Sequence, residues 1–157
     1  MAMKKILVLG VGNILLGDDG VGVHVVERMK GMALPQDTEI LDGGMATSDL
    51  LTYMKGRQKV IIIDAIKSSS PAGTIFKIPY QDMKDMKKGE HDGVCALHQI
   101  TVIGMLQILE SMGNMPDVLV IGIVPKNDTE FSQQLSPEIE EKLPEIIALV
   151  LEELSIK

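Results

Sequence analysis

Five side chains in this sequence could do chemistry together: the carboxylates of Asp18, Asp19, Asp42 and Asp64 and the imidazole of His98. The carboxylates stand at or just after the ends of apolar, strand-like runs, and His98 begins a helix-like run. In a parallel sheet those strand ends share one edge, where such folds bind ligands. One imidazole with two or three carboxylates suits a borderline first-row divalent ion. Plainer readings stand beside this one. Asp18 and Asp19 could favour the positive end of a following helix, Asp42 before Gly43-Gly44 is what a turn uses, and a lone histidine at a helix start is often a cap or surface group. Asp64 resists the plainer reading, because a carboxylate ending a buried apolar run needs a partner or a cation.

The stretch around the first acidic pair, ILVLGVGNILLGDDGVG from Ile6 to Gly22, organises the rest. Its four apolar residues and the glycines at 10 and 12 could open a dinucleotide-binding loop. Asn13-Ile14-Leu15-Leu16 then puts bulk where the third fingerprint glycine belongs, and two negative charges follow where a pyrophosphate would sit. A cation site fits better. The dinucleotide alternative would use Gly10 and Gly12 for the turn and Asp42 for a ribose hydroxyl. Cys95, three residues before His98, raises a thiolate–imidazole nucleophile, against the commoner buried and inert cysteine. His24 reads as a partly exposed helix residue and His91 as solvated, so neither enters the site. No Gly-x-Ser-x-Gly motif occurs, and the 11 methionines read as core filling.

The elements that must position these groups follow from the hydrophobic periods. Strands are expected at 5–11, 38–41, 60–63, 74–78 and 118–124. Helical spacing covers 20–32, 48–55 and 98–112, and a final helix opens at Ser136-Pro137 with a cap residue and a proline at its first position. Pro144 should kink or restart that last helix. Residues 80–97 look irregular, and Gln81 to Ala96 is a candidate contact loop. Val60 to Ile63 is apolar on both faces, as a central parallel strand must be. The expected fold is therefore α/β and three-layered, a twisted, mainly parallel sheet of about five strands with helices on both faces.

Size and charge narrow the function. The 157 residues fit one domain, 1–157. A net charge of -7 offers no cationic excess for a nucleic-acid backbone. A single cysteine excludes an internal disulfide, and the absence of a signal-like opening points to the cytoplasm. No apolar run approaches the roughly 20 residues needed to span a bilayer. A monomer without a membrane partner is expected.

The motifs GVGNILLGDDGVG, LDGG at 41–44, IIIDAI at 61–66 and HQI at 98–100 resemble those of the hydrogenase maturation endopeptidases, in the same order along most of the chain. The resemblance implies a protease that removes a short C-terminal extension from a nickel-iron hydrogenase large-subunit precursor after nickel insertion. It implies recognition of nickel by Asp19, Asp64 and His98, although some members carry glutamate where Asp19 stands. Asp42, in the family's Asp-Gly-Gly motif, is implied near the site with a part in cleavage. Nickel would arrive with the substrate, and no resident organic cofactor is expected. Two alternatives to a protease are a nickel-binding maturation chaperone without enzymatic activity and the dinucleotide-binding module; a resident-zinc peptidase is a third.

Overall fold

The computed structural model describes residues 3–45, 49–85 and 97–155, with the backbone alone at 85 and 97–101. Along the chain run β1 (Ile6–Gly10), a single 3-10 turn (Gly17–Gly20), α1 (Val21–Met29), β2 (Thr38–Asp42), α2 (Leu50–Met54), β3 (Lys59–Ala65) and β4 (Ile75–Pro79). They are followed by α3 (Tyr80–Asp85), α4 (Leu97–Ser111), β5 (Asp117–Ile123), α5 (Pro137–Glu140) and α6 (Leu143–Ser155). The five strands form one sheet in the order β2-β1-β3-β5-β4. All neighbours are parallel except β4, which runs antiparallel to β5 at the edge.

The apolar run at 60–63 becomes a central strand because both of its faces are covered. Val60 and Ile62 join Leu7, Leu9, Val118 and Val120 in a core closed by α2, α3 and α4. Ile61 and Ile63 point the other way, with Val8, Ile121 and Ile123, into a core closed by α1, α5 and α6. Each of these wholly buried isoleucines contributes about 1.5–3 kcal/mol relative to exposure. Strand alternation thus divides one sheet between two helical layers. Among the described residues no helix is long and apolar enough to cross a membrane.

Two local expectations change. Tyr80 to Asp85 is helical rather than irregular, because Tyr80 and Met83 recur at helical spacing and bury against the sheet. Ser136 does not cap the helix behind it: its side chain makes no cap bond there and instead donates to Asp18. Pro137 does take the first position of α5, and the final helix restarts as α6, with Pro144 in its first turn.

Candidate active site

The chain leaves β1 to one side for β2 and returns on the other side for β3, so the carboxyl ends of β1 and β3 border the point where the strand order reverses. Asp64 lies at this place. It is the penultimate residue of β3 rather than the residue after it, because pairing with β5 continues through Asp64 opposite Gly122 and Ala65 opposite Ile123. Alternation with Val60 and Ile62 turns Asp64 to the face covered by α4. The residue is 3% exposed.

The segment after β1 brings a second acid to the same place. The Val11 amide donates to the Ile63 carbonyl (3.0 Å), which continues the β1–β3 ladder into the loop. Gly12, at φ 140°, is then pressed so closely on the Asp19 carbonyl that a Cβ would collide with it. Gly22 meets the Ile63 carbonyl in the same way. The glycines therefore let main chain pack on main chain, which leaves their concave side filled by the protein itself rather than open as a phosphate cradle. Asp19, 2% exposed, accepts a hydrogen bond at Oδ2 from the Asn13 amide (2.8 Å).

Burial, with the nearby Asp19 charge acting in the same sense, holds the Asp64 carboxyl well above the usual carboxylate range, against a smaller opposing effect of the Ala65 backbone hydrogen bond. Two buried acids whose charges act on each other disfavour being ionised together. A divalent cation between them would reverse that preference, since both oxygens are then wanted as anions.

Asp18 faces elsewhere. A 3-10 turn advances three residues per turn, so adjacent side chains diverge by about 120°. Wholly buried, Asp18 accepts from the Lys126 amide (3.0 Å), the Asn127 amide (2.9 Å), the Ser136 amide (2.7 Å) and the Ser136 hydroxyl (2.8 Å). It does not cap α1, whose N-cap is Gly20 without a side-chain cap bond. The sequence reading missed this use, and the signal for it was the Asp-Asp doublet itself, since two neighbours in a tight turn cannot serve one site.

Asp42 ends β2 opposite Gly10. Its register assigns it to the α1 face, opposite the face Asp64 takes. Its Oδ1 accepts from the Gly44 amide (2.8 Å), closing the turn, and its charge reaches Lys30 on the α1 side. Asp19 and Asp64 are thus brought together, and Asp42 stands exposed at the same sheet edge on the other face.

His98 is the second residue of α4. That helix ends a few residues before the amino end of β5, so its first turn lies at the carboxyl edge of the sheet, over the face Asp64 takes. The His98 side chain lies outside the described residues. So do Cys95, His91 and residues 86–96 of the candidate contact loop. Among the described residues no three metal-ligating side chains form a group. His24 on α1 is half-buried, with no hydrogen-bond partner at Nε2 among the described residues. Burial, then the Arg28 charge, lowers its pKa, with Asp18 opposing.

The sequence model of a family described as hydrogenase maturation protease matches residues 23–153. The chain is 32% identical to a putative hydrogenase maturation protease of Methanocaldococcus jannaschii, over 98% of this chain and 99% of that protein. It is 35% identical to the hydrogenase 2 maturation protease of Escherichia coli, over 94% and 88% of the two chains. Among solved structures it is similar to the hydrogenase maturating endopeptidase HybD from E. coli, with a TM-score of 0.84 and 34% identity over 96% and 91% of the two chains. A hydrogenase 2 maturation peptidase from a Thaumarchaeota archaeon superposes with a TM-score of 0.72 at 31% identity, over 98% of this chain and 100% of that one.

Proposed function

The chain belongs to the hydrogenase maturation protease family, and from that premise we propose that it is an endopeptidase that removes the C-terminal extension of a nickel-iron hydrogenase large-subunit precursor after nickel insertion. The observation that carries this reading is the approach of Asp19 and Asp64, two buried acids from separate segments, where burial and then the Asp19 charge push the Asp64 carboxyl above the usual carboxylate range. Such a pair is poised to exchange a proton for a cation, and so to sense whether the cation is there.

The nickel is part of the substrate, held by the precursor's own thiolates. Asp19 and Asp64 offer it hard oxygen donors and His98 an imidazole, a mixed set that suits a first-row ion. Hydrolysis adds water across the scissile amide: the water oxygen bonds to the carbonyl carbon, the C–N bond breaks, and a proton passes to the departing amine. Asp42 is the carboxylate we assign to orienting that water. Its place on the other face of the sheet requires the substrate chain to pass over the sheet edge near Gly10. We further propose that the protein works in the cytoplasm as a monomer, with the precursor as its partner.

The test is to incubate the purified protein with nickel-loaded and nickel-free precursor and to follow the mass of the large subunit. Loss of the C-terminal peptide from the loaded form alone is expected. Equal cutting of both forms removes the nickel-reading step, and cutting of neither favours a chaperone that handles nickel without hydrolysis. His98→Ala should abolish processing with an unchanged circular dichroism spectrum; continued processing takes His98 out of the site.

A further inference from the structure

Strands β1 and β5 flank β3 in the sheet, and the segments that follow them meet across the end of β3. One segment is the 13–20 loop that carries Asp19; the other is 124–136, which leads into α5. The Gly17 amide donates to the Ser132 carbonyl (2.7 Å), the Ser132 amide to the Leu15 carbonyl (2.9 Å), and the Asp18 amide to the Asn127 carbonyl (2.9 Å). At the centre of this seam sits the Asp18 carboxylate with its four donors from 126–136. Charge-assisted bonds to backbone amides are among the stronger ones in proteins, and here all of them come from the far segment. Asp19 is the next residue. Its own amide donates back to Leu16 (3.1 Å) and its carboxylate is met by Asn13, so the turn that Asp18 anchors is the turn that aims Asp19.

We propose that Asp18 is a positioning residue of this enzyme: by tying the segment after β1 to the segment after β5 across the end of β3, it sets the Asp19 carboxylate against Asp64. The inference rests on the protease reading for its kinetic consequence, though not for its structural one. The chemistry makes a sharp variant available. In Asp18→Asn the side chain keeps its shape, but its NH2 group must replace an oxygen on one side or the other. At Oδ1 it would face the Ser136 amide, and at Oδ2 the amides of 126 and 127, a donor against donors in either orientation. Ser136→Ala removes only the hydroxyl bond.

Hydrogen exchange and kinetics together decide the matter. In Asp18→Asn the Asn13 amide, which donates to Asp19, should lose at least about tenfold of its protection while the β3 amides keep theirs. On nickel-loaded precursor kcat should fall at least about tenfold with KM within about twofold, measured well below the melting temperature. Ser136→Ala should shift both readouts the same way by about two- to fourfold. Unchanged Asn13 protection, or wild-type kcat in a folded Asp18→Asn, overturns the proposal. If Asp18→Asn does not fold, Ser136→Ala decides, and wild-type exchange and kcat in that variant overturn it. Wild-type protein that leaves the nickel-loaded precursor whole instead overturns the protease reading, and the exchange result then still judges the clamp.

Discussion

At its amino end β3 meets the buried carboxylate of Glu153, and near its carboxyl end it carries the buried carboxylate of Asp64. The two acids are similarly enclosed, 7% and 3% exposed, yet they are pushed in opposite directions. Burial raises Glu153, but hydrogen bonds and charge from Lys77 and Lys59 more than offset it and leave its pKa below the ordinary value. Lys59 Nζ lies 2.9 Å from Glu153, and Lys77 completes the bridge from β4. Asp64 has burial and the Asp19 charge acting together and is raised. One end of the strand neutralises its acid with the chain's own cations. The other end sets a second acid where its charge adds to burial rather than offsetting it. The first arrangement adds to stability, and the second costs stability, as the site proposed above would.

Substitution separates the two ends. The largest expected effect is on processing: Asp64→Ala should lower the cutting of nickel-loaded precursor at least ~100-fold, beyond what outer-shell partners of metal sites usually carry, and mass spectrometry of the subunit reads it. Retained cutting would make the two ends equivalent. Glu153→Gln should do the reverse, leaving cutting intact while destabilising the fold. We expect about 2 kcal/mol, less than a wholly buried pair would cost because Lys77 is partly exposed. That corresponds to a drop of about 4–8 °C in a melting experiment.

Smaller and of opposite sign is Asp64→Asn, which removes a buried acid held above its unfolded pKa and should raise the melting temperature at pH 7 by a few degrees. A lower melting temperature would mean that Asp64 is paired within the chain as Glu153 is. The pH slopes give the finest test. Glu153, depressed in the folded state, contributes stability above its unfolded pKa of about 4.3 and loses it as pH falls through the folded value. Asp64, raised in the folded state, makes stability fall as pH climbs from about 3.9 towards its folded value, because the native state then holds the extra proton. Chemical denaturation across acidic to neutral pH should therefore show a low-pH decline that Glu153→Gln makes shallower and a higher-pH decline that Asp64→Asn makes shallower.

Much of this was legible before folding was considered. The alternating apolar faces of 60–63 and the helical spacings around it dictate a sheet covered on both sides, because each run has to bury whatever its period aligns. The glycines at 10 and 12 and the acids at 19 and 64 marked the sheet edge at which Asp19 and Asp64 come together. Local pattern was silent on the antiparallel sense of β4, which depends on which edge remained for it, and on Glu153, which looks like one solvated acid of an acidic helix until Lys59 and Lys77 arrive from two strands.

The sequence by itself determined which residues are apolar, at what period, and where carboxylates interrupt them, and these are local properties of neighbouring side chains. Only the tertiary structure decided that Asp18 and Asp19, adjacent and chemically identical, part company. One turns to the amides of 126–136; the other accepts from the Asn13 amide and lends its charge to Asp64. That division depends on donors more than a hundred residues away, which no reading of neighbours along the chain contains.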